Sequence, residues 1–313
     1  MTTKEIILSY LSEKLKPLFD GVPENFFTKA QEVRFRSLKP LIIVKNGAEY
    51  TITCQKKLTR DISKGYIVLQ TDISAILDLI SGRSMYAFSD ELKEGFITIN
   101  GGHRVGVSGK VISSGGEIRA IKHFNSLNIR LSHQIIGCAD PVMRSITSEQ
   151  KALHTMIISP PACGKTTLLR DIIRQLSNDG QTVAIVDERS EVAGCVFGVP
   201  QNDVGIRTDV LDGCKKAEGM LMLLRSMSPK VIAVDEIGKN EDVHAIEDII
   251  NAGVTIICTV HGKSIEDIKK KPVLRELIEK GIFKRFIVLK KPGEIEGIYT
   301  DNYERCVAYA AST

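Results

Sequence analysis

The second half of the chain alternates short apolar runs with segments of helical spacing. Strands are predicted at 154–159, 182–187, 230–236 and 254–260, and helices at 165–177, 215–227 and 241–252. Apolar strands that alternate with helices form βαβ units, so the pattern predicts a parallel sheet with helices on both faces. The last apolar runs, after residue 282, predict a closing β-hairpin.

The first half has a mixed pattern. Helical spacing predicts helices over 1–30 and 71–88, whereas alternating, β-branched segments predict strands over 33–44 and 50–53, a β-meander over 96–122 and one more strand over 124–131. Asp140-Pro141 interrupts the pattern. We therefore predict an N-terminal α+β domain at 1–147 and an α/β domain at 148–313.

Composition narrows the class of protein. A chain of 313 residues, 43% hydrophobic and 26% charged with a net charge of +4, is typical of a soluble two-domain protein. The seven cysteines are odd in number and have no CxxC spacing, which argues against a disulfide framework or a zinc site and favours a reducing compartment. We expect no signal peptide and no membrane-spanning helix, so any work at a membrane would need recruitment by another protein.

The segment SPPACGKTT (159–167) has the second half of a phosphate-binding P-loop, between a predicted strand and a predicted helix. Lys165 is expected to bridge the β- and γ-phosphates of a nucleotide, while backbone N–H groups and the helix N-terminus hold the β-phosphate. Ser159 replaces the usual first glycine, and two prolines follow that lack N–H donors. The candidate nucleotide-binding residues are Pro161, Ala162, Cys163, Gly164, Lys165, Thr166 and Thr167.

KVIAVDEIG (230–238) resembles the second half of such a site, an apolar strand that ends in two carboxylates. Ligands of open α/β sheets bind at the carboxyl ends of strands. Asp235 is therefore expected to hold Mg²⁺ together with the Thr166 hydroxyl, and Glu236 to act as the base that polarises the attacking water.

Two further strand ends carry candidate residues. Asp187, Glu188 and Glu191 follow the strand at 182–187 and would bind metal or position water; the alternative is a polar loop in which Arg189 pairs with an acid. His261, at the end of the strand at 254–260, would sense the γ-phosphate, although a lone histidine is more often structural.

Charge that develops on the γ-phosphate during transfer is commonly stabilised by an arginine. The candidates are Arg207 and Arg225 in the second half and Arg104 and Arg130 in the first half, each weighed against an ordinary surface arginine. The sequence leaves open which of them acts within its own subunit and which acts across an interface.

Several strings together resemble the stage III sporulation protein AA family of endospore-forming bacteria. They are EVRFRSLKPLIIV, YAFSDELKEGFITINGGHRVG and FNSLNIRLSHQIIGCADPV in the first half, and SPPACGKTTLLRDIIR, IVDERSEVAG, LRSMSPKVIAVDEIG and TVHG in the second. The resemblance covers nearly the whole chain, and the Pro-Pro pair in the P-loop is part of it.

That family is similar to the ATPases of type II and type IV secretion systems and type IV pili. The resemblance implies a RecA-like P-loop ATPase core with a smaller N-terminal domain, ATP and Mg²⁺ as ligands, and a hexameric ring. It also implies a cytoplasmic protein of the mother cell, held at the membrane by the membrane proteins of the sporulation channel between mother cell and forespore. By the same analogy Arg104 and Arg130 would reach the neighbouring subunit's nucleotide, Asp187, Glu188 and Glu191 would form the acidic box, and His261 the His box. The tetracysteine metal site of some secretion ATPases is absent from this sequence, so coupling is expected to differ.

Two other function classes compete with a channel ATPase. A nucleic-acid motor or RecA-like switch would need a basic groove with stacking aromatics, yet aromatic residues make up 5% of the chain and tryptophan is absent, so nucleic acid is not the expected partner. A P-loop small-molecule kinase would need an Arg-rich lid and an acceptor pocket. The consecutive Asp235 and Glu236 favour hydrolysis over transfer, because Glu236 would recruit water.

Overall fold

The structure is a computed structural model that describes residues 1–82, 88, 91–92, 95–114 and 117–306. The chain forms two compact units, Met1–His133 and Gln134–Thr313. The domain limits predicted from the sequence are 1–147 and 148–313. They stay a prediction, because a domain is a segment that folds independently and the compact units are defined by contacts alone.

The N-terminal unit is built on one antiparallel sheet. Its strands run in the order β4-β3-β2-β1-β7-β6-β5: β1 (Ala30–Arg36), β2 (Ile42–Lys45), β3 (Ala48–Ile52), β4 (Leu58–Thr59), β5 (Phe96–Ile99), β6 (His103–Ser114) and β7 (Glu117–Arg130). Helices are α1 (Thr3–Ser9), α2 (Glu24–Phe27) and α3 (Gln70–Ile80), with short 3-10 helices at Lys16–Gly21, Ile62–Lys64 and Asn100–Gly102. Apolar side chains of the sheet and of these helices share one core.

Several predictions for this half were wrong in detail. The helix predicted over 1–30 is broken into α1, a 3-10 helix and α2, since Pro17 and Pro23 stand where a continuous helix would need N–H donors. The single strand predicted over 33–44 is a hairpin, because Leu38 has a positive φ of 60° and Pro40 follows it. The strand predicted over 124–131 is the continuation of β7, and the helix predicted over 71–88 ends at Ile80, with 83–87 outside the described residues.

The C-terminal unit is built on a second sheet of the order β12-β11-β13-β14-β10-β15-β16. Its elements are α4 (Asp140–Ile146), β8 (Thr147–Ser148), β9 (Lys151–Ala152), β10 (Thr155–Ser159), α5 (Lys165–Asn178), β11 (Val183–Asp187), β12 (Thr208–Asp212), α6 (Lys216–Ser226), β13 (Val231–Val234), α7 (Asn240–Asn251), β14 (Thr255–His261), α8 (Ile265–Lys269), α9 (Pro272–Glu279), β15 (Arg285–Lys291) and β16 (Glu294–Thr300). All neighbouring strands of the seven-stranded sheet pair in parallel except β15 and β16, which form the predicted closing hairpin. Strands β8 and β9 form a separate antiparallel pair.

Strand order brings the candidate site residues together at the carboxyl ends of three central strands of this sheet. Strand β14 lies between β10, which leads into the P-loop, and β13, which leads into Asp235. Two apolar clusters cover the two faces of the sheet, so β10 and β13 are buried along their whole length. The parallel sheet predicted from the sequence is confirmed, and β12 is an additional strand.

Candidate nucleotide site

The P-loop forms a tight turn between β10 and α5. Strand β10 ends at Ser159 and helix α5 begins at Lys165, with Gly164 as its N-cap at φ +90°. Ala162 also has a positive φ of 58°, a conformation that costs a residue with a Cβ about 1–2 kcal/mol. Strained backbone of this kind concentrates where a loop wraps a ligand. The free N–H groups at the start of α5 make the turn suitable for an anion.

Lys165 and Thr166 meet the two carboxylates at the end of β13. The Thr166 hydroxyl donates to Asp235 Oδ2 at 2.6 Å. Lys165 Nζ lies 3.7 Å from Asp235 Oδ1 and 3.4 Å from Glu236 Oε2. The residues predicted from two separate motifs are therefore brought together in one site.

Thr259 of β14 fixes the position of both carboxylate residues. Its hydroxyl donates to Asp235 Oδ1 and accepts from the backbone N–H of Glu236 at 2.8 Å. Glu236 has a positive φ of 58°, so its backbone turns sharply out of the strand. Thr259 was not among the candidates from the sequence, although a polar residue within the apolar run 254–260 was a usable signal; the structure shows it fully buried.

The loop after β11 is held by a buried carboxylate. Asp187, 2% exposed, accepts from the backbone N–H groups of Glu191, Val192 and Ala193 at 2.8, 3.0 and 2.8 Å. Burial raises the pKa of Asp187, while these three hydrogen bonds act in the opposite direction. Asp187 thus orients the loop that carries Glu191.

Arg170 of α5 also holds this loop in place through hydrogen bonds. Its Nε donates to the carbonyl oxygen of Val192 at 2.6 Å and its Nη2 to that of Glu191 at 2.7 Å. The side chain is 4% exposed, and burial lowers the pKa of Arg170 while the Asp187 and Asp235 carboxylates raise it. The sequence analysis did not single out Arg170, although a charged pair, Arg170-Asp171, between two apolar pairs of the helix was a usable signal.

A cavity of about 410 Å³ lies beside the two carboxylates. Its walls include Asp235 and Glu236, the acidic residues Asp187, Glu188 and Glu191, the cations Arg189, Lys216, Lys239 and Lys271, and His261. Lys216 forms an ion pair with Glu188, and Lys271 donates to the carbonyl oxygen of His261. Strand register places His261 opposite Ser159, at the start of the P-loop. The predicted acidic residues and His261 therefore share one cavity with Asp235 and Glu236, beside the P-loop.

The candidate arginines lie in different parts of the chain. In the N-terminal unit Arg104 of β6 lies directly opposite Arg130 of β7, and Arg104 stacks on the ring of Phe96 at 4.4 Å. Arg207 donates to the carbonyl oxygen of Ser177 near the C-terminal end of α5, about 20 Å along that helix from its start at the P-loop. Arg207 is therefore too far along α5 to reach a phosphate in its own P-loop, and Arg225 is an exposed residue in the last turn of α6.

The oxygen donors of Thr166 and Asp235 suit a hard divalent cation such as Mg²⁺, which takes one or two protein ligands and completes its shell with phosphate and water. Within the described residues there is no group of three or more His, Cys, Asp or Glu side chains that could hold a metal by themselves. In that part of the chain, no helix is long and apolar enough to cross a membrane.

Comparison with known proteins gives a family match over nearly the whole chain. The model of the family described as "Sporulation stage III, protein AA" matches residues 1–306. Stage III sporulation protein AA of Bacillus subtilis (strain 168) is 41% identical over 302 residues, which cover 94% of each chain. Protein SEEDLING PLASTID DEVELOPMENT 1 of Arabidopsis thaliana is 31% identical over 156 residues, 46% of this chain and 23% of that protein.

Solved structures with a similar fold include ATPases. The ATPase DotB of Yersinia pseudotuberculosis aligns with a TM-score of 0.57 at 15% identity, over 89% of this chain and 75% of that one. The pilus retraction motor PilT with bound ADP aligns with a TM-score of 0.55 at 14% identity, over 99% of this chain and 84% of that one. These similarities confirm the predicted fold class, a RecA-like P-loop core with a smaller N-terminal α+β part.

Proposed function

The chain belongs to the sporulation stage III protein AA family, and from that premise we propose that it is a Mg²⁺-dependent, secretion-type ATPase. It powers or assembles the channel between mother cell and forespore during endospore formation. The observation that carries the enzymatic part of this proposal is the convergence of Lys165 and Thr166 with Asp235 and Glu236.

The P-loop binds the phosphates of the substrate ATP. Backbone N–H groups of residues 162–166 surround the β-phosphate, and the N-terminus of α5 adds its partial positive charge. Lys165 moves from Asp235 and Glu236 to the β- and γ-phosphates, because the substrate offers it a denser negative charge. Pro161, Cys163 and Thr167 shape the loop and contribute contacts along it.

Thr166 and Asp235 are the residues that would hold the magnesium ion. When bound, the ion supplies charge neutralisation at the phosphate oxygens and orients them for attack. Thr259 keeps Asp235 in place by donating to its second carboxylate oxygen. The carboxylate therefore faces the Thr166 hydroxyl in a fixed orientation.

Glu236 orients and deprotonates the attacking water. Its side chain is 44% exposed, so water reaches it, and its backbone is anchored on Thr259. Glu191 assists in placing the water, and His261 contacts the γ-phosphate from the end of β14. Arg104 and Arg130 of the neighbouring subunit stabilise the charge that develops on the γ-phosphate.

The active assembly is a homohexameric ring that works in the mother-cell cytoplasm. Membrane proteins of the sporulation channel hold it at the membrane. Pro161 and Ala162 are exposed at the P-loop surface, as a site shared between subunits requires. The membrane partners determine which substrate the enzyme moves.

Substitution of the water-orienting base tests the enzymatic assignment. Glu236→Gln keeps the side-chain volume but removes the base, so we expect ATP binding to persist while kcat falls about 10²–10⁴-fold. Lys165→Ala is expected to weaken ATP binding itself. Glu296→Gln, at an exposed position on β16, is the matched control and should leave both quantities unchanged. Retention of hydrolysis by Glu236→Gln would remove Glu236 from the mechanism.

Complementation between inactive variants tests the shared site. Arg104→Ala/Arg130→Ala chains retain intact P-loops, while Lys165→Ala chains retain both arginines. Mixing the two is expected to restore part of the ATPase activity, since some P-loops then receive arginines from a neighbour. If the mixture stays as inactive as its components, the arginines do not act across an interface.

A further inference from the structure

The sheet of the N-terminal unit has one apolar face and one polar face. In β1 the side chains of Val33 and Phe35 are fully buried, and Arg34 and Arg36 alternate with them. In β7 Leu127 and Ile129 are buried, while Ser126, Asn128 and Arg130 alternate with them. Because successive residues of a strand point to opposite faces, the polar set shares the face away from the core.

Strand register brings the polar residues of three strands side by side. Arg34 lies opposite Asn128, which lies opposite Gly106 of β6; Arg36 lies opposite Ser126, which lies opposite Ser108. Neighbouring strands are about 4.8 Å apart, and residues two apart along a strand are about 6.7 Å apart. Gly106 has no side chain, so the surface is lower there than on the strands beside it.

This low point is a cavity of about 250 Å³. It is lined by Arg34, Arg36, Gly95, Gly106, Val107, Ser108, Ser126, Leu127 and Asn128. None of these lining residues is acidic. Arg34 pairs with the neighbouring Glu32, but the side chain of Arg36 has no hydrogen-bond or ion-pair partner among the residues that the structure describes.

A second polar group in the cavity also lacks a partner. Asn128 Oδ1 is buried and accepts no hydrogen bond from any described residue. A buried polar atom without a partner costs about 1–3 kcal/mol, and such atoms are commonly satisfied by a ligand or by water. The charge on the cavity walls is positive as well, since the charged residues that line it, Arg34 and Arg36, are both cationic.

We propose that this cavity is a second anion site, separate from the P-loop, which binds the phosphate group of a small organic phosphate that also carries a hydroxyl. The planar guanidinium of Arg36 donates two parallel hydrogen bonds to phosphate oxygens, with Arg34 adding charge from the next position on the face. Rotation of the Asn128 amide turns its Oδ1 into the cavity, where it accepts a hydrogen bond from the ligand's hydroxyl. A phosphorylated sugar or a nucleoside monophosphate has both groups.

Ribose 5-phosphate is a suitable probe because it has both features and lacks the β-phosphate that a P-loop grips. Titration calorimetry with the full chain carrying Lys165→Ala removes the contribution of the P-loop lysine. We expect saturable binding that weakens as salt rises. Arg36→Gln in this background should weaken binding about 10- to 100-fold, since it removes a charged hydrogen-bonding partner. Arg36→Lys should give an intermediate loss because it keeps the charge but not the two-pronged geometry.

Arg60→Gln is the matched control. Arg60 lies in the same unit, stacks on Tyr50 at 5.1 Å, and is outside the cavity, so its variant should bind ribose 5-phosphate like the parent. A circular dichroism spectrum and melting temperature like the parent's would show that Arg36→Gln is folded. Absence of saturable binding, or equal affinity in the Arg36→Gln and Arg60→Gln variants, would overturn the proposal. A loss seen only at protein concentrations where the chain self-associates would instead assign Arg36 to a contact between copies, and would overturn it too.

Discussion

Replacement of Arg170 by methionine is expected to destabilise the C-terminal unit severely. The guanidinium is buried, donates to the carbonyl oxygens of Glu191 and Val192, and lies in the field of the Asp187 carboxylate. Methionine fills part of the volume but leaves two carbonyl groups and one buried carboxylate without their cation. A buried acceptor left without its donor costs about 1–3 kcal/mol, so the loss of both hydrogen bonds is expected to cost about 2–6 kcal/mol.

Urea unfolding of the full chain, followed by circular dichroism, measures this loss as a shift of the midpoint at constant slope. Arg275→Met is the matched control, since Arg275 makes an exposed pair with Glu279 that is worth about 0.3–0.5 kcal/mol. Arg170→Lys keeps the charge but cannot donate to both carbonyl oxygens at once, so its loss of stability should lie between those of Arg170→Met and Arg275→Met. If Arg170→Met does not fold, Arg170→Lys still gives the comparison.

A double-mutant cycle separates the electrostatic influence of Asp187 on Arg170 from the loss of the two hydrogen bonds. Asp187→Asn alone weakens the hydrogen bonds to the loop at 191–193. Combined with Arg170→Met, it removes both buried charges, so the double variant should lose about 1–3 kcal/mol less than the sum of the single losses. Strict additivity, or a loss for Arg170→Met no larger than that of Arg275→Met, would refute the reasoning.

Three further predictions concern other positions. Burial, aided by the charge of His133, lowers the pKa of His103 from 6.5 to about 4, so the neutral imidazole stabilises the fold above pH 6.5 and that contribution is lost as the pH falls through 4. This residue alone should make the protein about 2 kcal/mol less stable to urea at pH 5 than at pH 8, so the pH 5 to pH 8 difference should shrink by about that amount in His103→Gln, while burial of His154 keeps part of it. Thr259→Val removes the hydroxyl that holds Asp235 and Glu236, so kcat should fall about 10- to 100-fold with little change in ATP affinity, whereas Thr255→Val on the same strand should not alter kcat. Gly164→Ala forces a side chain onto φ +90° and should lower the free energy of unfolding by about 1–2 kcal/mol, although the added Cβ meets nothing closer than 3.8 Å; unchanged stability in that variant would mean that the loop relaxes.

The C-terminal unit was predictable because its strands are continuous apolar runs with helices between them. A buried parallel strand has no polar face, so its limits are visible in the sequence, as for β10 and β13. Strand β12 was not predicted since it lies at the sheet edge, is only half-buried, and has a sequence, TDVLD, that neither alternates nor forms a continuous apolar run.

The N-terminal unit was less predictable because its elements depend on contacts between distant residues. The break of the first helix and the hairpin at β1 and β2 are decided by single prolines and by one residue of positive φ. Helical or alternating spacing persists across those positions, so periodicity alone extends the elements too far.

Motifs of the site were visible, whereas the residues that position them were not. Lys165, Thr166, Asp235 and Glu236 follow from two strings of sequence, and the structure brings them together. Thr259 and Arg170 act through strand order and through a loop that folds back on α5. The role of Thr259 can be inferred only once β14 is known to lie between β10 and β13, and the role of Arg170 only once the loop at 191–192 is known to pack on α5.

The central claim is that the chain hydrolyses ATP at a site completed by a second copy. The most direct test is the ATPase rate per subunit, measured with Mg²⁺ over a wide range of protein concentration, with Lys165→Ala as the inactive reference. We expect a rate per subunit that climbs with concentration and is absent in Lys165→Ala. A rate that is independent of concentration, or that persists in Lys165→Ala, would contradict it.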